Sequence, residues 1–144
     1  MPSAGEVIEA WHGGRIATTT ATSNSTTFTT TETVTDSVTA ALVNGERYLV
    51  EFWAGFASSV ANDQVQVNLR EDNLTGTLLA FDVGVMPIAS VIKAFYVRRE
   101  YTATATGNKT FVATGDRYAG TGNVYRGAAS TVPALLTVTH IKEA

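Results

Sequence analysis

The sequence predicts an all-β fold: a single antiparallel, jelly-roll-like β-sandwich of about eight strands, preceded by an N-terminal arm. Apolar and polar residues alternate along several segments, which is the period of a half-buried strand. Turn-forming residues separate these segments at short intervals, as in sandwiches and barrels. No segment predicts a convincing helix. A chain of 144 residues, 44% of them hydrophobic, is large enough for one domain with its own core.

The first strands have the clearest pattern. Their apolar residues fall on alternate positions: Val34, Val38, Ala40 and Leu42; Tyr48, Val50, Phe52, Ala54 and Phe56; Val65, Val67 and Leu69. Between the first two strands, Asn44-Gly45 indicates a tight turn. A three-residue loop, Val43 to Gly45, would place Val38 opposite Val50, whereas a two-residue loop would pair apolar with charged residues. We therefore predict a hairpin in the first register, with Gly45 in the left-handed conformation.

The second half of the chain predicts five further strands: Leu78–Val83, Ser90–Thr106, Thr110–Thr114, Val124–Ala128 and Leu135–Ile141. The second of these also fits a helical stripe, but its aromatic residues and its alternating Thr-Ala run favour a strand. The segment from Asp116 to Gly122 predicts a glycine-punctuated loop. Upstream, the Thr/Ser-rich tract from Thr18 to Thr33 contains Phe28, which favours an ordered strand or arm over a flexible linker.

The chain divides into an N-terminal arm, residues 1–14, and a β-sandwich domain, residues 15–144. The arm carries Val7, Ile8 and Trp11, three apolar side chains outside the predicted sandwich. We predict that these residues dock on a neighbouring subunit. The same segment lacks the basic start and the long apolar stretch of a signal peptide, so we expect the protein to fold in a cytoplasm.

Composition and charge exclude several function classes. The net charge is −3 and charged residues make up 16% of the chain, which argues against nucleic-acid binding because that needs a concentrated basic face. Cysteine is absent, so disulfides and thiolate metal sites are excluded. No apolar run reaches the roughly 18 residues of a membrane helix. The expected partners are therefore other proteins, not nucleic acid or membrane.

The candidates for chemistry are weak, and we predict a protein that is not an enzyme, with no catalytic residue, no metal site and no cofactor. The two histidines, His12 and His140, lie at opposite ends of the chain. The pairs Asn62-Asp63 and Glu71-Asp72 could offer oxygen ligands to a metal, but they match no calcium-loop spacing. Gly120-Thr121-Gly122 suggests a phosphate loop, but a strand follows it where such a loop needs a helix.

Two aromatic residues are candidates for a protein interface. Trp53 alternates out of phase with the core residues of its strand, so it should point outward, and Phe111 is next to Val112 so that only one of them can face inward. An outward aromatic on a weakly charged surface is typical of an interface. Packing of Trp53 under a loop or under the N-terminal arm is an equal alternative.

The sequence also resembles a family of small virion proteins of tailed bacteriophages of actinobacterial hosts. The resemblance spans nearly the whole chain and rests on these segments: MPSAGEVI, STTFTTTETVTDSVTA, LVNGERYLVEFWAGFASSVANDQV, LREDNLTGTLL, EYTATATGNKTFVATG and GTGNVYRGAASTVPALLTVTHI. It implies a β-sandwich component of the virion, on the capsid or on the tail, and it brings no catalytic residues.

The function that these expectations support is a capsid decoration or cement protein. It would bind the major capsid protein or other virion proteins, self-associate as a homo-oligomer, and stabilise the shell by passive protein–protein contacts. The first alternative is a minor tail or receptor-binding protein with a host-glycan site, in which Trp53 or Tyr118 stacks on a sugar. The second alternative, a cell-wall hydrolase, has the least support.

Overall fold

Two antiparallel sheets packed face to face form the structure, a computed structural model that describes residues 14–141. The strands are β1 (Gly14–Ala21), β2 (Thr33–Leu42), β3 (Arg47–Ser58), β4 (Gln64–Glu71), β5 (Leu78–Val85), β6 (Lys93–Thr102), β7 (Gly107–Ala119), β8 (Val124–Gly127) and β9 (Ala134–Ile141). Sheet A has the order β1-β9-β3-β6, with β8 also paired to β3, and sheet B has the order β2-β7-β4-β5. The predicted all-β sandwich is confirmed, with nine strands in the described residues.

The core lies between the two sheets. The alternating apolar residues of β2, β3 and β4 face it, as their period-2 patterns predict. Val34 is the exception: it is exposed, because the register of β2 shifts between Val34 and Asp36. Phe56 is at its centre and makes edge-to-face contacts with Phe52, Phe95 and Phe28, with ring centroids 5.5 to 6.4 Å apart. Phe28 belongs to the Thr/Ser-rich tract, which is therefore ordered and forms an isolated bridge to Val124.

The predicted hairpin between β2 and β3 is wrong. Val38 lies opposite Phe111 of β7, and Val50 lies between Arg99 and Val138. The two apolar series are in phase because both strands face one core from different sheets, so the phase match did not require pairing. Gly45 does have a positive φ of 83°, and its turn carries the chain from sheet B to sheet A.

Two further predictions need correction. Phe111 was predicted to be an outward interface residue, but it is fully buried in the core against Tyr101. Val112, on the opposite face of the strand, is buried as well. Phe111 faces the core between the sheets. Because β7 lies inside sheet B, Val112 is flanked on the outer face by Ser37 of β2 and Arg70 of β4. The predicted loop from Asp116 to Gly122 is also wrong in its first half, because β7 continues to Ala119 while it pairs with β4.

A buried ion pair joins the two sheets. Arg126 of β8 in sheet A donates hydrogen bonds of 3.0 and 3.2 Å to the carboxylate of Asp36 of β2 in sheet B. Its third nitrogen donates to the carbonyl of Ser23, 2.5 Å away. The side chains of Arg126 and Asp36 are both almost completely buried, so this pair fixes how the sheets meet and where the segment after β1 lies.

Candidate functional site

Trp53 lies on the outer face of sheet A, as its phase predicted, and 51% of it is exposed. It is on β3, between Tyr96 of β6 on one side and Leu135 of β9 on the other. Tyr96 is 48% exposed. Directly opposite residues on one face of a sheet have Cβ atoms about 5 Å apart, so the sheet brings the two aromatic side chains together.

These residues line a shallow cleft of about 260 Å³ on this face. Its lining is Arg15, Glu51, Trp53, Tyr96, Leu135 and Thr137. Four strands, β1, β9, β3 and β6, contribute one or two residues each. We call these six residues the aromatic cleft. It combines two aromatic rings and an aliphatic side chain with one cation, one anion and a hydroxyl group.

The polar side chains of the aromatic cleft are held in place by the sheet. The hydroxyl of Tyr96 donates a hydrogen bond to the carboxylate of Glu51. This bond, with burial as the next cause, raises the pKa of Tyr96 above its ordinary value, so the phenol keeps its proton further into the alkaline range. Glu51 also lies opposite Arg98 and Thr137 on the neighbouring strands. The acceptor oxygens of Glu51 are therefore fixed beside the rings.

One end of this face is closed by a close contact. The next outward position on β3 is Gly55, where an added Cβ would lie 2.2 Å from Cγ2 of Ile92. A Cβ added at Gly127 of β8 would lie 2.6 Å from Cδ1 of Ile92. Glycine in a strand often marks such a close approach. Ile92, in the loop before β6, thus covers the sheet beyond Trp53 and bounds the aromatic cleft at that end.

The outer face of sheet B is different, because a polar network covers its centre. Glu32, in the segment before β2, accepts hydrogen bonds from Arg70 at 2.7 and 3.0 Å, from Asn68 at 3.1 Å and from the hydroxyl of Thr114. Asn68 and Thr114 are completely buried although they are polar. We call Glu32, Arg70, Asn68, Thr114 and the adjacent Asp116 the Glu32 network.

The two carboxylates of the Glu32 network have opposite pKa shifts. Burial alone would raise the pKa of Glu32, but its hydrogen bonds from Arg70 and Thr114 and the charge of Arg70 outweigh burial and lower it. For Asp116, the hydrogen bond from Asn68 and the charge of Arg70 do not outweigh burial. Burial, followed by the nearby negative charge of Glu32, raises the pKa of Asp116 above its ordinary value. At neutral pH the negative charge of Glu32 therefore stabilises the folded state, and the negative charge of Asp116 destabilises it.

Beside this network, β5 exposes apolar side chains at the edge of sheet B. Phe81, Val83 and Val85 lie opposite Asn68, Gln66 and Gln64 of β4, on the outer face. Phe81 is 59% exposed, and Ile88 and Val91 in the following loop are exposed as well. No strand of residues 14–141 pairs with the other side of β5. We call Phe81, Val83 and Val85 the apolar edge.

The backbone amides of the Gly120-Thr121-Gly122 segment donate to a carboxylate of the protein itself, that of Asp63. The buried carboxylate of Asp63 accepts the backbone N–H groups of Thr121 and Gly122, at 3.1 and 2.8 Å, and the hydroxyl of Ser58. Although burial would raise its pKa, these bonds and the charge of Arg117 lower the pKa of Asp63. The amides that resembled a phosphate loop are thus satisfied internally and hold this loop closed.

The other residues singled out in the sequence do not join the aromatic cleft. Val7, Ile8, Trp11 and His12 lie outside the described residues. Tyr118 is 61% exposed but lies at the end of β7 in sheet B. His140 is buried beside the ring of Tyr48 and its Nε2 lies 2.8 Å from Glu46. Within residues 14–141, no three His, Asp or Glu side chains are placed to share a metal ion, and no helix is long and apolar enough to cross a membrane.

Sequence reasoning missed Tyr96, Arg15 and Leu135. A signal existed for Tyr96, because it lies between the core residues Phe95 and Val97 and so must point outward. Its pairing with Trp53 was not visible, since the two are 43 positions apart and the strand order was unknown. Arg15 is the first residue of the predicted sandwich domain, but no strand was predicted at its position, where β1 begins at Gly14.

Comparison with known proteins identifies the architecture. No protein-family model and no curated protein matches the sequence. Among solved structures, the Eiger TNF from S. frugiperda superposes with a TM-score of 0.51 and 9% identity, over 91% of this chain and 95% of that one. The structure of infectious bursal disease virus Gx strain superposes with a TM-score of 0.53 and 11% identity, over 96% of this chain. This protein is a jelly-roll β-sandwich.

At these identities the likeness extends to the fold alone. The jelly roll spans only 36% of the infectious bursal disease virus chain, so most of that protein has no counterpart here. A weaker superposition, with a TM-score of 0.42 and 12% identity over 90% of this chain and 99% of that one, is to a carbohydrate binding module from Cellvibrio mixtus lichenase 5A in complex with cellotriose. That score is too low to support any argument.

Proposed function

We propose that this protein is a non-enzymatic structural protein of a bacteriophage virion, a decoration or cement protein that binds the capsid shell in many copies. The observation that carries the proposal is the apolar edge of sheet B. Phe81, Val83 and Val85 form a row on one face of a terminal strand. Monomeric proteins usually blunt such a strand with lysine, proline or a covering element. Among residues 14–141, Lys93 reaches this strand and donates to the carbonyl of Val85 at 3.3 Å, and no strand pairs with its free side.

The chemistry of the apolar edge favours a protein partner. Its unpaired backbone groups can extend sheet B into a neighbouring molecule, and its side chains can be buried by that contact. Fully burying one large apolar side chain is worth about 2 to 3 kcal/mol, whereas an exposed ion pair contributes about 0 to 1 kcal/mol. Apolar contact should therefore determine affinity. We propose the major capsid protein as the principal partner, with contacts between copies of this chain as a further part of the assembly.

Fold-level analogy is compatible with this assignment. Jelly rolls occur in viral capsid domains as well as in lectins, and one of the structures that superpose on this chain comes from a virus. Fold does not decide function, so this analogy only raises the expectation. The resemblance of the sequence to virion proteins of actinobacterial phages points in the same direction.

The test is the composition of purified virions and the effect of one substitution. We expect this protein in very many copies per virion, with binding that survives about 1 M NaCl, where exposed charges act over only about 3 Å. Phe81→Ser should remove it from particles while the isolated domain still unfolds at the wild-type temperature. Tyr118→Ser, which changes another exposed aromatic residue of sheet B, is the matched control and should incorporate normally.

Two results would contradict the proposal. A few copies per virion would indicate a minor tail or receptor-binding protein instead. Release by salt, together with normal incorporation of Phe81→Ser, would mean that charge and not the apolar edge holds the contact.

A further inference from the structure

We infer that the aromatic cleft of sheet A is a binding site for a short, neutral saccharide. This site is on the opposite sheet from the apolar edge and does not depend on the role of that edge. A decoration protein and a tail protein could both carry it. The inference rests on three features of the cleft: its exposed rings, the pairing of its polar groups and its size.

The rings provide the apolar contact that a sugar needs. Trp53 and Tyr96 are adjacent on neighbouring strands and half exposed, and Leu135 flanks Trp53 on the other side. One face of a pyranose ring presents mainly C–H groups, which pack on the electron-rich face of an aromatic ring. Because Trp53 is in the central strand of a rigid sheet, little conformational entropy is lost when a ring binds there.

The polar groups fit hydroxyl groups better than they fit an ion. Glu51 offers acceptor oxygens and Arg15 offers donors, at the same cleft. A sugar hydroxyl can donate to the first and accept from the second. Among the residues that line the cleft these two opposite charges balance, so a neutral ligand with many hydroxyl groups is complementary to them. Hydrogen bonds to charged groups are also stronger than those between two neutral groups.

The size and composition of the cleft argue for a small ligand. Its volume of about 260 Å³ lies just below the range of roughly 300 to 1,000 Å³ for drug-sized ligands. About one or two sugar rings fit such a site. Acidic residues are depleted at the centres of protein interfaces, whereas the carboxylate of Glu51 lies beside Trp53 and Tyr96 here. A saccharide is therefore the better occupant of this face than a protein surface.

The experiment uses the full chain on a glycan array that spans bacterial, plant and animal saccharides. The strongest neutral hit is then titrated against the Trp11→Phe protein, in which Trp53 is the one remaining tryptophan and its fluorescence reports occupancy. We expect saturable binding with a change in Trp53 emission. Titration calorimetry measures the variants, because Trp53→Ala lacks the fluorescent reporter. Trp53→Ala should weaken binding roughly tenfold or more, and Glu51→Gln roughly tenfold.

Tyr118→Ala is the matched control, because it removes an equally exposed aromatic ring from the other sheet. It should bind the hit as the wild type does, and circular dichroism should show all variants folded. No neutral hit on the array, or equal losses for Trp53→Ala and Tyr118→Ala, would overturn the inference. So would a wild type that binds no glycan while Trp53→Ala fails to enter particles, since that result assigns the face to a protein partner.

Discussion

The two outer faces of this jelly roll are built on the same framework but leave different residues exposed. On sheet A the centre of the face is open, and Trp53 and Tyr96 are exposed there beside Glu51. On sheet B the centre is covered by the Glu32 network, and exposure moves to the apolar edge of β5. The inward residues of both sheets serve one core. This difference shows that the shared core determines the residues at inward positions, whereas the residues at outward positions can differ between the sheets and serve separate roles.

The largest effect should come from the ion pair on which both faces depend. Asp36→Ala leaves the buried Arg126 without its partner, so we expect a loss of about 3 to 5 kcal/mol of unfolding free energy. Because the pair joins the two sheets, particle binding and saccharide binding should both decline. Urea unfolding followed by fluorescence measures the loss.

The exposed Arg47–Glu100 pair provides the control, since Glu100→Gln should cost less than about 1 kcal/mol. If Asp36→Ala costs no more than this control, the buried pair does not hold the sheets together.

The Glu32 network should affect sheet B alone. Glu32→Gln removes the charge that Arg70, Asn68 and Thr114 bind, with an expected cost of about 1 to 3 kcal/mol at neutral pH. Since folding lowers the pKa of Glu32, its contribution is present above the unfolded pKa and is lost as the pH falls through the folded value. The difference between wild type and variant should therefore shrink as the pH falls below the ordinary glutamate pKa of about 4.3 and disappear below the lowered pKa of the folded state.

Urea unfolding at several pH values tests this behaviour, and a glycan titration tests the separation of the faces. A constant difference between wild type and Glu32→Gln at all pH values would contradict the role of the charge. A loss of saccharide binding in this variant would show that the two faces are coupled.

Asp116 should produce the smallest effect, with the opposite sign. Its raised pKa means that the folded state favours the protonated form, so stability from this group is present below the unfolded pKa and is lost as the pH rises. Asp116→Asn should therefore stabilise the protein at neutral pH, by less than about 1 kcal/mol because the group is partly solvated. Thermal unfolding at neutral and acidic pH measures it, with Asp82→Asn on the exposed part of β5 as the control. A lower melting temperature for Asp116→Asn at neutral pH would contradict the repulsion from Glu32.

Alternation predicted which side chains face the core but not which strands meet. Val38 and Val50 were both correctly placed inward, yet they belong to different sheets. Phe111 was misjudged because an interior strand can be covered on both faces, which a two-residue period does not reveal. The outward direction of Trp53 was predictable from its phase. The Glu32 network was not predictable, because Glu32 contacts Asn68 and Thr114, which lie 36 and 82 positions away in the chain.

The strand order also determines when this chain can fold. Within residues 14–141, β4 and β5 are the one pair of consecutive strands that hydrogen-bond to each other. β1 pairs with β9, with Gly14 opposite His140. The partners of β3 are β6, β8 and β9, which all come later in the chain. Closing such long loops precedes most of the favourable contacts, so we expect folding in about milliseconds to seconds. On a ribosome, sheet A stays incomplete until β9 has emerged, and until then the edge of β3 is open to pairing with another nascent chain.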